Sequence, residues 1–507
     1  MRVDRRAIAA CLVAGACGAD AAAQRLTPGH VLVLYNSWSP ASREVADAYR
    51  MGRPGVVAFD LNSAELQTGS ITREQFVRLV RDPVRAFLAG GAGQPDRRES
   101  VACIVTTIGL PGRILSPAGT ADEFRLYSAW ASLESELTLL QQDLEAPGSG
   151  FLARRFNGMV DNPYHTALGR PVLSYSRATV GQARPFQQVL ITGAPVETIW
   201  RANGLTPGDM YLVCRLDSAA SADGRSALEN TLSLVSRSRN LVLDRCDVQA
   251  LLDEYDPPPA SQGGFELDEG DVPPLVPGPA DFENAAEFLR LWGMRTTHDE
   301  TFNFVTGPEL AAPWPLALLA TYGETHSLYA AWGENPPGTG TYVSTYGFAP
   351  ASFFVAYESW GGTSIYAPGT SRGGQQQALD FIARGGSFAI PTVMEPFAFT
   401  IADTQWLLPA MLLHGLTFAE AAYAAIPVLS WQATPVGDPL ATLRIVTRGS
   451  ADDLTGDGAL TAEDLYANQA TPREHDCQPD VTAADRAAFE RIARSAELID
   501  MLGPGAR

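Results

Sequence analysis

Between Asp453 and Asp464 the side chains that can offer oxygen fall at fixed intervals: Asp453, Thr455, Asp457, Thr461 and Asp464, with the backbone carbonyl of Ala459 at the seventh place. Gly458 occupies the sixth place, where such a loop turns sharply, and Leu460 supplies an apolar eighth. Hard oxygen ligands at positions 1, 3, 5, 7, 9 and 12 wrap one Ca2+, and without a cation the carboxylates would repel one another. Ca2+ is therefore the expected cofactor, held by Asp453, Thr455, Asp457, Ala459, Thr461 and Asp464. The plain alternative is an acidic solvated turn, which seldom brings the glycine and the apolar position together. A second, shortened copy runs from Asp476 to Asp485. It lacks the glycine and is about two residues short of the pattern, so it is expected to keep the loop's shape and bind calcium poorly.

Three further residues are candidates for catalysis. Glu395, before Pro396, and Asp438, after Gly437, stand at predicted strand or turn ends, where ligand sites of doubly wound folds gather. Two carboxylates there could divide acid and base work. The bland reading has Glu395 capping a turn and Asp438 ordering the loop before Pro439. His326 follows a predicted strand ending at Tyr322. By contrast His414, in Leu413-His414-Gly415, is expected to close a helix, because a cation is favoured at a helix C-terminus. The aromatic group Tyr342, Tyr346, Phe353, Phe354, Tyr357 and Trp360 suits a core better than a sugar-stacking platform.

Parallel strands must carry such residues. His30 to Asn36, Val101 to Thr107 and Tyr211 to Asp217 are apolar runs without alternation, the mark of strands buried on both faces. Helical stretches follow near Ser39 to Tyr49 and Arg225 to Ser236, with further strands at Asn240 to Leu243, Pro315 to Tyr322 and Gly386 to Val393. Phe282, Ala285, Ala286, Phe288, Leu289 and Trp292 are spaced for one helix face, and Thr417 with Glu420 forms a capping box. Strand, helix and strand in alternation predict an α/β fold with doubly wound, mainly parallel sheets and flanking helices. The expected divisions are a signal peptide over 1–23, an N-terminal α/β domain over 24–252, an acidic Pro/Gly-rich linker over 253–281, a C-terminal α/β domain over 282–447 and a small helical tail over 448–507.

Composition narrows the function. The 507 residues carry a net charge of -20, so the chain would repel the phosphates of nucleic acid rather than neutralise them. All its basic residues besides histidine are arginine, which excludes Schiff-base and Ser-Lys chemistry and the lysine of a P-loop. Arg2, Arg5 and Arg6 precede a short apolar stretch and Ala21-Ala22-Ala23, the pattern of a secretory leader. Export is expected, to the cell surface, the periplasm or the medium, with a lipid anchor at Cys17 as the alternative. No later apolar run is long enough to span a membrane. Four cysteines remain beyond the leader, Cys103, Cys214, Cys246 and Cys477. These are too few for a disulfide scaffold, and Cys103 and Cys214 are expected as buried thiols in strands.

Three resemblances follow from these motifs. The loop at Asp453 is an EF-hand-type loop that ends in Asp, which resembles a dockerin and implies a cohesin-like partner. The stretches Val31 to Asn36, Ser132 to Glu136, Asn162-Pro163-Tyr164, Tyr211 to Asp217, Glu395-Pro396-Phe397, Trp431-Gln432 and Val436 to Leu440 resemble an uncharacterised exported bacterial family that co-occurs with exosortase. That resemblance implies a link to surface protein or polysaccharide sorting and no established reaction. From Leu316 to Leu440 the chain is more distantly similar to gingipain-type, caspase-like peptidase domains. These need a His after one strand and a Cys after the next, yet His326 is displaced by two and Val343 to Trp360 contains no Cys. The expectation is thus a non-catalytic exported protein with a calcium-binding tail; a hydrolase on a caspase-like scaffold, or an assembly component held by its dockerin, is the alternative.

Overall fold

A computed structural model describes residues 25–91, 93–115, 130–142, 159–177, 186–191, 198–202, 204–254, 281–301, 305–310, 314–322, 342–357, 359–367, 377–394, 396 and 400–446. The expected leader, most of the expected linker, His326, Glu395 and the whole expected tail with its candidate calcium residues lie outside these residues.

The N-terminal half builds one parallel sheet. Strand β1 (Val31–Tyr35) is followed by helix α1 (Pro40–Gly52), which starts on Ser39, whose hydroxyl accepts from the Ser42 amide, and on Pro40, whose fixed φ suits a first turn. Val45, Ala46 and Tyr49 face inward from α1. Strand β2 (Val57–Asp60), β3 (Cys103–Thr107), the capped helix α2 (Leu133–Thr138), β4 (Leu212–Leu216) and helix α3 (Ala227–Arg237) are the main elements that follow, with shorter strands in small side sheets. The strands lie in the order β4-β3-β1-β2, all parallel. Every residue of β3 and β4 is buried, as expected of strands covered on both faces. Cys103 and Cys214 are the buried free thiols foreseen for them.

A second parallel sheet follows. Its strands are β5 (Gln249–Asp253), β6 (Arg295–Asp299), β7 (Leu316–Tyr322), β8 (Phe348–Tyr357) and the two-residue β9 (Phe388–Ala389). Helix α4 (Asp281–Leu291) connects β5 to β6. The order is β6-β5-β7-β8-β9, so the chain winds one way from β5 and then the other. Helices α5 (Thr404–Leu412) and α6 (Phe418–Ala425) come after β9, and α6 opens on the Thr417–Glu420 capping box. The fold is α/β with mainly parallel sheets and flanking helices, as the strand pattern predicts. Tyr342, Tyr346, Phe353, Phe354, Tyr357 and Trp360 are all buried, so the aromatic stretch is core.

One short segment joins the two sheets. Val436 pairs in parallel with Arg215 of β4 and antiparallel with Ala389 of β9. The Arg215 amide donates to Pro435 O at 2.7 Å, the Gly437 amide to Arg215 O at 2.9 Å, and Val436 and Ala389 exchange bonds of 2.7 and 3.0 Å. A Cβ on Gly437 would stand 2.8 Å from Ser387 O and from the Phe418 ring, so the seam accepts only glycine without a shift of backbone.

Candidate functional site

The three catalytic candidates are not brought together among the described residues, because only Asp438 belongs to them. Its carboxylate is fully buried. Oδ1 accepts from the Tyr49 hydroxyl at 2.8 Å and the Leu440 amide at 3.0 Å, while Oδ2 takes Arg53 Nη2 at 2.6 Å and Nε at 3.1 Å. Every acceptor position faces a donor, so this aspartate ties the seam to α1 and its end. Burial and the Asp438 charge together hold the Tyr49 phenol well above its ordinary range. His414 lies just beyond α5, its amide bonded to Pro409 O at 3.0 Å, and burial lowers its pKa to about 4.

Other motif residues form a second buried network at the C-terminal edge of the first sheet. Arg215 spans Glu134 at 2.9 Å and Asp217 at 2.8 Å, and also donates to Leu110 O and Pro111 O. Thr106 donates to Glu134 at 2.6 Å. Beside it Glu136 binds Arg73 at 2.8 Å and receives the Ser430 hydroxyl at 2.7 Å. A buried arginine with two carboxylates is tolerated only when its donors and their acceptors are matched in this way.

The C-terminal edge of the second sheet is arranged differently. Strand order reverses between β5 and β7, and in open α/β sheets the crevice outside such a reversal is where ligands bind. Asp253 closes β5 at this point. Its Oδ2 accepts from the Tyr342 hydroxyl at 2.6 Å and from the Val305 amide at 3.1 Å. Its Oδ1 is buried and has no hydrogen-bond partner among the described residues. Burial raises the carboxyl to about 7 against the pull of those two donors.

On the opposite face of the sheet, where β5 pairs with β6, stands a second group. His298 of β6 lies in register with Leu252, and the Glu254 amide bonds to Asp299 O, so Glu254, His298 and Glu300 share one face of the pleat. His298 Nε2 is hydrogen-bonded to Glu254 Oε1. The ligand atoms of Glu254, His298 and Glu300 all lie within 4.8 Å of one another, running from buried through half-buried to exposed. The two carboxylates, with Glu283 of α4, oppose the desolvation of the imidazole and leave its pKa raised.

A third group lies where α4 and α5 begin. Asp281 accepts the Thr404 and Gln405 amides, each at 2.7 Å, and the Tyr357 hydroxyl at 3.3 Å. It thereby caps α5 in place of a residue on α5 itself. Burial, then the nearby Asp403, push its carboxyl up to about 8. Asp403 in turn meets His165 at 2.7 Å.

None of Asp253, Glu254, His298, Asp281 or Asp403 follows from spacing alone. β6 reads Arg-Thr-Thr-His-Asp, half exposed at a sheet edge, and carries no hydrophobic signal. A polar pair directly after a short apolar run, as in Leu251-Leu252-Asp253-Glu254, is the one local hint that a strand ends in a site.

No family model matches the chain, and no curated protein does. Two solved structures are distantly similar. The Arg-specific cysteine proteinase gingipain R aligns with a TM-score of 0.37 and 10% identity over 82% of this chain and 79% of that one. The complex of Porphyromonas gingivalis RgpB pro and mature domains aligns with a TM-score of 0.36 and 10% identity, over 82% of this chain and 80% of that one. The likeness is one of chain trace. The resemblances to dockerins and to the exosortase-linked family rest on their sequence motifs.

Proposed function

We propose that this is an exported α/β protein that binds and hydrolyses a polar substrate at the C-terminal edge of its second sheet, with a tail ordered by Ca2+ at Asp453 to Asp464. The observation that carries the reading is Asp253. A buried carboxylate oxygen with no donor costs about 1–3 kcal/mol or more, and a hydrogen bond from a bound ligand would recover that cost. Tyr342 and Val305 fix the other oxygen, which leaves Oδ1 to accept a hydrogen bond from a ligand in the crevice between β5 and β7. The test is hydrolysis by the calcium-loaded chain across peptides, glycans and esters, comparing wild type with Asp253→Asn. A loss of 10-fold or more in kcat/KM is expected, since the amide keeps the shape and removes the acceptor's charge. Turnover undiminished in Asp253→Asn would overturn the assignment.

A second reading, a non-catalytic component of surface or polysaccharide assembly, is favoured by where the motifs that resemble the exosortase-co-occurring family lie. Glu134, Arg215, Asp217 and Asp438 are consumed in buried ion pairs, and Asn162 donates to Tyr423 O at 2.8 Å and Ile426 O at 2.7 Å. On this reading wild type hydrolyses none of the panel, and the tail captures a cohesin-like or surface-bound partner only while Ca2+ is present. Capture that survives EDTA would count against it.

A further inference from the structure

We propose that Glu254, His298 and Glu300 form a site for a divalent metal ion of the zinc or manganese class, separate from the calcium loop of the tail. The case is geometric. Two neighbouring parallel strands deliver the three side chains to one face of the sheet, and the ladder between β5 and β6 fixes their relative height. One imidazole nitrogen and two carboxylate oxygens already lie within 4.8 Å of one another. A tetrahedral ion with bonds of about 2.1 Å needs its ligand atoms about 3.4 Å apart, so closing on the ion requires small side-chain rotations and no movement of backbone.

Donor chemistry selects the ion. A mixed nitrogen and oxygen set suits Zn2+, Mn2+ or Fe2+, whereas Ca2+ takes six to eight oxygens. Three protein ligands leave at least one coordination position open, the composition of a site that works on water or substrate rather than one that only braces a fold. The open side is defined, because Glu254 and His298 lie inside while Glu300 reaches solvent. Glu283, from the helix over this face, adds negative potential that favours a cation. Without an ion, three carboxylates share one imidazole.

The site stands on the opposite face of the pleat from Asp253, so it goes beyond the hydrolase reading and is tested without activity. The full-length mature chain is stripped with chelator, saturated with Ca2+ to fill the tail, and titrated with Co2+ as a spectroscopic stand-in for Zn2+. One equivalent of Co2+ is expected, with visible absorption bands that Zn2+ displaces. His298→Asn should abolish that equivalent. Glu300→Gln, at an exposed position that leaves folding intact, should weaken binding 10-fold or more. No Co2+ bound in the presence of Ca2+, or unchanged binding in Glu300→Gln, overturns the site. Co2+ binding that is normal alongside hydrolysis untouched by Asp253→Asn would retain the metal site and remove the Asp253 assignment.

Discussion

Asp438 shows how one residue type reads two ways. A carboxylate after glycine at a turn suits acid and base chemistry, and it equally suits a loop anchor. The deciding facts are Tyr49 and Arg53, nearly four hundred residues away in sequence, and no local pattern announces them. Removing the anchor strands a mostly buried arginine and a buried phenol. Asp438→Ala should therefore cost about 3 kcal/mol in urea denaturation while leaving Co2+ binding at His298 unchanged. Asp281 gives a pH signature. Its folded carboxyl titrates near 8 and its unfolded carboxyl near 4, so between those values the folded state holds a proton that the unfolded state has released. This group's contribution to stability is fully present below pH 4 and is lost as pH rises towards 8. Urea midpoints measured from pH 5 to 8 should fall more steeply for wild type than for Asp281→Asn; equal slopes would contradict the assignment.

Among the elements, strands buried on both faces were the legible ones. Val31-Leu32-Val33-Leu34 and Cys103-Ile104-Val105 admit few other structures, and the Thr417–Glu420 box marks its helix to the residue. Thr417→Ala should lower stability by about 1 kcal/mol, read as a shift in thermal midpoint. β5 and β6 were hidden, β5 by its position at the border of the acidic linker and β6 by its polar sequence. Because the candidate metal group sits on those two strands, it was hidden with them. The expected strand over Gly386 to Val393 contracts to Phe388–Ala389, since Val436 takes up the pairing beside it. At the seam, Gly437→Ala forces a methyl group against Ser387 O and should cost about 1–3 kcal/mol.

For the molecule as a whole, cysteine arithmetic makes a prediction that the sheets alone do not. Cys246 is disulfide-bonded, whereas Cys103 and Cys214 are free and buried. With Cys11 and Cys17 in the expected leader, Cys477 is the partner that remains, inside the shortened second loop of the tail. Peptide mapping of the purified chain without reductant should recover Cys246 joined to Cys477, and a free thiol at Cys477 would contradict this. Such a bond would hold covalently the end of the tail where calcium is expected to bind poorly.

The seam at Val436 also dictates an order of events in the life of the chain. Sheet edges at β4 and β9 stay open until a segment that follows both, and comes long after β4, has arrived between them. Local strand and helix formation can run ahead, but closure waits for a contact of very long sequence separation, which slows folding and leaves unpaired edges exposed in the meantime. A chain exported unfolded would meet that interval outside the cytoplasm, where a late-arriving strand and a disulfide to the tail can set together.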